Sequence, residues 1–276
     1  MRKFKFRKNR NLQIGLIIIL VLFALCIVSF FWTPYDPYET SSKIQDQLQG
    51  PSREHIFGTD HLGRDVLSRV MIASQKAFFI GFSTLIIAGT IGTIIGLVSG
   101  YVGGIVDEIL MRIVDIFMTI PGTVLLLLFV TIFGRGTKQT VLAISIMNFP
   151  TFAKMTRSQV LSLKKREHIL WAKAIGVQNR RIIFRHIFPE LVPTLLVVSA
   201  MKFSSSVMAE AGLSYLGLGI QPPEPSWGNM LTRAQSSIIS SPFNAIVPGL
   251  MITLFVIGFH LLSDGLRKAL NVREAS

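Results

Sequence analysis

The chain has 276 residues, of which 50% are hydrophobic and only 16% are charged. Soluble proteins have a similar apolar share but about 25% charged residues, so this composition argues against an ordinary cytosolic domain. A helix that spans a bilayer needs about 20 apolar residues, and the apolar content suffices for roughly six. Lysine and arginine (28) exceed aspartate and glutamate (15), and where they lie decides between nucleic-acid binding and the cytoplasmic loops of a membrane protein. The single cysteine, Cys26, excludes disulfides within the chain and cysteine-rich metal sites.

Long stretches without charged side chains predict an all-α membrane protein with six transmembrane helices. They lie near residues 12–32, 78–100, 108–133, 139–157, 190–213 and 245–265. The basic start and the first apolar run also resemble a cleaved signal peptide, but the run is long and no Ala-x-Ala site follows it. We therefore predict an uncleaved membrane anchor.

Three glycines of the second predicted helix, Gly92, Gly96 and Gly100, are spaced four residues apart. This spacing leaves one helix face almost without side chains. It predicts close packing against another helix rather than a ligand site.

The basic residues predict the orientation of the chain. If the N-terminus is cytoplasmic, 18 lysine and arginine residues fall on the cytoplasmic side and 8 on the external side. Because cytoplasmic loops carry the excess of positive charge, both termini are predicted to be cytoplasmic. The predicted segments are a cytoplasmic basic arm (1–11), the first transmembrane helix (12–32), an external loop (33–76), a transmembrane core (77–266) that contains a cytoplasmic connection (158–189), and a cytoplasmic tail (267–276).

The 158–189 connection is too apolar for a solvated loop, since its apolar residues recur at helical spacing among basic ones. Ala172 and Gly176 lie one turn apart and form a small patch that another protein can approach closely. Gly176 is predicted to end this helix, and Pro189 suits the first turn of the next one. Docking to a partner and adsorption to anionic lipid headgroups both explain this pattern, and the residues alone leave both open.

The connection resembles the EAA loop of bacterial ABC importer permeases, in which Glu-Ala-Ala is followed by glycine and then by Ile-x-Leu-Pro. Ala172, Gly176 and Pro189 fall at the family's spacing. The chain departs from the pattern at Leu170, Trp171, His186 and Phe188, which replace the glutamate, first alanine, isoleucine and leucine. Three further stretches resemble the second permease of dipeptide, oligopeptide and nickel importers: FGTDHLGRDVLSRV (57–70), GYVGGIVDEILMRIVDIFMTIPG (100–122) and AEAGLSYLGLGIQPPEPSWGNML (209–231).

The resemblance implies a type I ABC importer permease fold in the bacterial cytoplasmic membrane. It implies that Trp171, Ala172, Gly176 and Pro189 couple the chain to the ATPase. The implied partners are two cytosolic ATPases, a second homologous permease that forms a heterodimer with this chain, and an external substrate-binding protein. The chain contains no G-x-x-x-x-G-K-[ST] phosphate-binding loop, so we expect a non-catalytic subunit without a cofactor.

Ionisable residues inside a membrane are costly and usually functional, which makes Asp115, Lys202 and Glu210 candidates for the transport pathway or its gates. Pairing with Arg112, three residues earlier, is an alternative role for Asp115. Trp227 follows a rigid Pro-Pro and resembles part of an external gate, although core packing also explains a tryptophan.

Two other function classes are disfavoured. A channel or secondary transporter lacks support because no inverted repeat or acid-rich helix is visible. A membrane enzyme lacks support because neither H-E-x-x-H nor Gly-x-Ser-x-Gly occurs.

The substrate is predicted from weaker features. The short N-terminal arm and tail and the stretches GTDHLGRD and RIVDIFMTIP resemble nickel permeases, so we expect transport of nickel or a nickel chelate, with di- or oligopeptides as the alternative. Nickel favours imidazole ligands. The five histidines, His55, His61, His168, His186 and His260, nevertheless lack ligand-like spacing, and no metal site is predicted.

Overall fold

The computed structural model describes residues 9–270. Most of the predicted basic arm (1–8) and the end of the predicted tail (271–276) lie outside this range. Over residues 9–270 the chain forms ten α-helices: α1 (Arg10–Val28), α2 (Val66–Val102), α3 (Gly104–Thr119), α4 (Gly122–Phe133), α5 (Thr137–Leu163), α6 (Glu167–Ala174), α7 (Asn179–Ile182), α8 (Phe188–Tyr215), α9 (Trp227–Ala234) and α10 (Phe243–Leu270). A π-helical turn (Ile183–Ile187) joins α7 to α8 into one helical segment.

Four helical segments are long and apolar enough to cross a membrane: α1, α2, the joined α7–α8 segment and α10. Helices α3 and α4 meet at 91° and make a fifth span if they are taken together. The bend falls at Ile120 and Pro121, because the residue before a proline is disfavoured in the α conformation. Helix α5, at the fourth predicted position, has 27 residues but carries Lys154 and Arg157 within it.

Two helix ends differ from the prediction. Helix α1 ends at Val28, before the predicted end at residue 32. Helix α2 begins at Val66, so the last part of the stretch predicted as an external loop (33–76) is helical. Asp65 caps this start, since its carboxylate accepts a hydrogen bond of 2.7 Å from the Ser68 amide. The first turns of α2 carry polar side chains, which a stretch without charged residues does not include.

Helices α2 and α5 pack closely along the glycine face, as predicted. A Cβ atom at Gly92 would lie 2.4 Å from the Phe149 carbonyl oxygen, and one at Gly96 would lie 2.4 Å from that of Ala153. Both distances are far below van der Waals contact. The absence of side chains at these positions therefore sets the helix separation.

The 37 residues of α2 span about 55 Å and define two ends of the bundle. The 29–65 loop lies at the start of α2. The connection between α5 and α8 (164–187) lies at its end, where Lys164 Nζ donates to the Tyr101 carbonyl at 2.6 Å. The Tyr101 hydroxyl donates to Asn179 Oδ1 at 2.7 Å, so both sides of the connection are fastened to α2.

Candidate functional site

Helix α6 forms the centre of the α5–α8 connection, and its end is built around Gly176. The Val177 amide donates to the Ala172 carbonyl at 3.0 Å, and the Gly176 amide donates to the Lys173 carbonyl at 3.1 Å. These two bonds form a Schellman motif, which needs a residue with positive φ after the helix. Gly176 supplies it with φ of +80°. The prediction that Gly176 ends this helix is confirmed.

The two faces of α6 differ in burial. Ile169 and Ala172 are buried in an apolar cluster with residues of α5, α7 and α8. Trp171 and Ile175 lie one turn apart on the other side, with 70% and 76% of their surfaces exposed. Together with the exposed Leu170 they form an apolar surface that no described residue covers, which we call the α6 patch.

Two ion pairs hold α6 in place. Glu190, in the first turn of α8, pairs with Arg166 and with His168, whose Nε2 lies 3.0 Å from Glu190 Oε1. Pro189 lies in the same first turn, as predicted, and is exposed. The start of α6 is therefore tied to the start of α8.

The four predicted coupling residues do not share one surface. Trp171, Gly176 and Pro189 are exposed. Ala172 is only 8% exposed and packs toward the bundle, so the small surface patch predicted for Ala172 and Gly176 does not form. The two residues do lie one turn apart, but Ala172 is buried in the apolar cluster beneath α6.

Asp115 pairs across helices rather than within its own. Its Oδ1 lies 2.7 Å from Lys154 Nζ of α5, so the alternative pairing with Arg112 is not formed. One end of α3 is held in the same way, since Arg157 makes a bidentate contact with Asp107 at 2.5 and 2.6 Å. Packing of α3 on α5 brings these charges together, which spacing along one helix does not reveal.

The other two ionisable candidates lie on α8 in different surroundings. Lys202 is half-buried and takes part in none of the ion pairs found between residues 9 and 270. Glu210 is 2% exposed and accepts a hydrogen bond of 2.6 Å from the Ser214 hydroxyl, whose oxygen accepts one of 2.9 Å from the Ile220 amide.

Trp227 is a core residue at the start of α9. It is 1% exposed, its indole Nε1 donates to the Val70 carbonyl at 3.3 Å, and its ring packs edge-on against Phe255. Ser226 and Asn229 form a capping box just before it, which fixes the direction of α9.

The 29–65 loop contains polar contacts that the sequence reasoning missed. His55 Nδ1 lies 2.9 Å from Asp65 Oδ1, and His61 Nε2 lies 3.5 Å from Arg233 Nη1. Asp60 Oδ2 accepts a hydrogen bond of 2.8 Å from Arg64 Nε. The i, i+4 spacing of Asp60 and Arg64 was a usable signal for this pair. Over residues 9–270, no group of three or more His, Cys, Asp or Glu side chains is placed to hold a metal ion.

Comparison with known proteins identifies the class. Residues 92–275 match the family described as "Binding-protein-dependent transport system inner membrane component". Residues 3–51 match the "N-terminal TM domain of oligopeptide transport permease C". The MetNI methionine ABC transporter in an inward-facing conformation has a similar fold, with a TM-score of 0.57 and 17% identity over 76% of this chain and 96% of the compared chain.

Two relatives are similar over nearly their whole length. A dipeptide transport system permease protein, DppC, of Alkalihalophilus pseudofirmus is 38% identical over 99% of this chain and 89% of its own length. A glutathione transport system permease protein, GsiD, of Pectobacterium atrosepticum is 40% identical over 92% of this chain and 86% of its own length.

The chain belongs to the family of binding-protein-dependent inner-membrane transport components, and within it to the permeases of dipeptide and oligopeptide ABC importers. It has the type I importer permease fold and is a multi-pass membrane subunit of a bacterial importer. Such subunits are non-catalytic and work with an ATPase and a substrate-binding protein. The expectation of a nickel permease finds no match among the two relatives described, which are named for dipeptide and glutathione.

Proposed function

We propose that this permease imports short peptides, of the size of a dipeptide or glutathione, from an external binding protein to the cytosol. The 38% identity to a dipeptide permease over 99% of the chain carries this proposal. The glutathione permease, at 40% identity, extends the same substrate class to a modified tripeptide. Nickel or a nickel chelate, which we expected from the short arm and tail, is the less favoured substrate.

The histidines give no support to the nickel alternative. His55 is paired with Asp65, and His61 lies beside Arg233, whose positive charge opposes a bound cation. His168 is paired with Glu190. Over residues 9–270, none of these imidazoles lies in a group of three or more side chains that could hold a metal ion.

We propose that the α6 patch docks on the ATPase, with Trp171 as its central contact. An exposed tryptophan beside Ile175 is costly in water and typical of the centre of a protein interface. Gly176 and Pro189 would line the same surface, whereas Ala172 would support it from beneath. Glu190 would pass movement of α6 to α8 through its ion pairs with Arg166 and His168.

The proposed topology places the segments on the sides of the membrane that the sequence predicts. The 158–189 connection and both termini would be cytoplasmic, and most of 33–76 would be external. A second, homologous permease would pack beside α2 and α8, where an apolar groove of about 670 Å³ runs between Leu85 and Val102. Two ATPases would then bind the two connections.

We propose two roles for the intramembrane candidates. Asp115 with Lys154, and Lys202, would offer polar groups along the pathway between the two permeases. Glu210 and Trp227 would hold the 216–234 segment closed at the other end, through Ser214 and through Val70 and Phe255.

The substrate proposal is tested by deleting the permease gene in a strain that needs one amino acid for growth. The deletion strain should fail to grow when that amino acid is supplied only as a dipeptide, and should grow normally on the free amino acid. Accumulation of nickel-63 at limiting metal should stay at the wild-type level. Normal growth on the peptide together with lost nickel accumulation would overturn the proposal and favour the nickel alternative.

A further inference from the structure

A cavity of about 20 Å³, partly open to solvent, lies where the 29–65 loop meets α2, α9 and the start of α10. Its polar walls come from all four parts: Asp60, His61, Arg69, Arg233 and Asn244. The volume holds about one water molecule, which needs about 10–15 Å³. Only the head of a small anion that enters from the open side therefore fits.

The positive charges around this cavity exceed the negative ones. Among the described residues, Asp60 is the one carboxylate that interacts electrostatically with Arg69 and Arg233, and Arg64 acts on both as well. The oxygens of Asp60 are already used: Oδ2 accepts from Arg64 Nε at 2.8 Å, and Oδ1 accepts from the Leu62 amide at 2.8 Å. Arg69 Nε lies 3.7 Å from Asp60 Oδ2, beyond hydrogen-bonding distance.

Arg233 has a weaker interaction partner than Arg69 has. Its Nη1 lies 3.5 Å from Nε2 of His61, and none of the ion pairs found between residues 9 and 270 includes Arg233. Burial and the positive charge of Arg64 lower the pKa of the Arg233 guanidinium, although Asp60 acts in the opposite direction. Three guanidinium groups therefore share one carboxylate.

Buried charges are stable only when they are paired, and Arg69 is just 2% exposed. The surplus positive charge therefore favours a second anion in the cavity. Guanidinium groups bind carboxylates with two parallel hydrogen bonds, which makes a carboxylate the best-matched ligand. The cavity is also polar elsewhere, because the buried Oδ1 of Asn244 has no protein donor and needs a water or ligand to satisfy it.

We propose that this cavity is a binding site for a carboxylate, held by Arg233 and Arg69. The ligand joins four parts of the chain that are distant in sequence, so its binding stabilises one arrangement of α9 relative to α2 and the loop. The carboxylate comes either from the peptide substrate or from an acidic side chain of the binding protein. The site itself does not depend on the proposed function. Only the peptide substrate as the source of the carboxylate rests on that proposal.

The test uses the complete transporter, purified and reconstituted in lipid nanodiscs without substrate. Sodium acetate is titrated at constant ionic strength made up with sodium isethionate, with acetamide as the neutral analogue, and the unfolding midpoint of the complex is recorded. Acetate should raise the midpoint saturably and acetamide should not. Arg233→Gln should raise the acetate concentration for half effect at least tenfold. Arg53→Gln, an exposed arginine of the same loop, should leave it unchanged.

Two further arms identify the source of the carboxylate. If the substrate supplies it, a dipeptide with an amidated C-terminus should stimulate ATP hydrolysis less than the free acid, and Arg233→Gln should abolish that difference. If the binding protein supplies it, Arg233→Gln and added acetate should each weaken its binding to the complex. No saturable acetate effect in the wild type, or an equal effect in Arg233→Gln, would overturn the proposal even if peptide import is confirmed.

Discussion

The 29–65 loop and the α5–α8 connection lie at opposite ends of α2. They differ in how far their side chains are buried and paired within the chain. The loop buries Arg64 and Asp65 and pairs them inside the chain, with Asp60 and His55 respectively. The connection pairs only its edge, at Glu190, and leaves Trp171 and Ile175 in solvent. One end pairs buried charges within the chain, whereas the other presents an apolar surface that a partner has to cover. Changes in the loop should therefore affect folding, and changes in the α6 patch should affect assembly.

The largest effect is expected for Asp60→Asn. The substitution removes the carboxylate that pairs with Arg64 and leaves buried guanidinium groups unpaired, which costs about 3–5 kcal/mol. The variant should be nearly absent from membranes, and its detergent-solubilised form should unfold at a lower temperature. Glu39→Gln, an exposed carboxylate of the same loop, is the control and should behave as wild type. An Asp60→Asn chain as stable as wild type would show that the cluster does not hold the loop.

The second test compares two neighbours on α6. Ile169→Ala removes a buried side chain and should cost about 2–5 kcal/mol of stability. Trp171→Ala removes an exposed one, so unfolding of the chain should hardly change while copurification of the ATPase falls at least tenfold. Equal losses of stability in the two variants would mean that α6 has no free face. Normal copurification with Trp171→Ala would place the docking surface elsewhere.

A smaller effect is expected at Gly176, where the backbone requires positive φ but the space beside it is empty. Gly176→Val should cost about 1–2 kcal/mol from the backbone alone. Gly176→Asn, which tolerates this conformation, should leave membrane abundance near normal. If the residue faces the ATPase, substrate-stimulated ATP hydrolysis should still fall in the asparagine variant. Wild-type hydrolysis in Gly176→Asn would show that only the helix end matters.

The smallest effect concerns pH and His61. Burial lowers the pKa of His61, Asp60 opposes this shift, and Arg233, Arg64 and Arg69 add to it. A base with a lowered folded-state pKa binds fewer protons when folded than when unfolded. Its stabilising contribution is thus present above about pH 6.5 and is lost as the pH falls through the folded-state value. The unfolding midpoint should drop between pH 7.5 and 5.5, and His61→Gln should flatten that drop. An identical pH profile in the variant would contradict the assignment.

Much of the membrane architecture follows from the sequence, because apolar runs and glycine spacing report directly on helices and their contacts. Gly92 and Gly96 are examples, since their pattern alone predicts the packing against α5. The start of α2 was missed because its first turns carry Ser68 and Arg69, which contact the loop rather than lipid.

The candidate site was harder to predict. The pairing of Asp115 with Lys154 and the burial of Ala172 depend on which helices are neighbours. The meeting of Arg233 with Asp60 and Arg69 joins residues more than 160 positions apart. Helical periodicity carries no signal for contacts of this kind. The family resemblance gave the partners but not these contacts.

The glycine packing of α2 on α5 also has a mechanical consequence. Two long helices in backbone contact resist sliding past each other, so we expect the pair to tilt as one unit. Over about 55 Å, a tilt of roughly a tenth of a radian displaces the far end by about 5 Å, the rise of one helical turn. Movement at Lys164, which binds the Tyr101 carbonyl, would then displace Arg69 at the other end of α2.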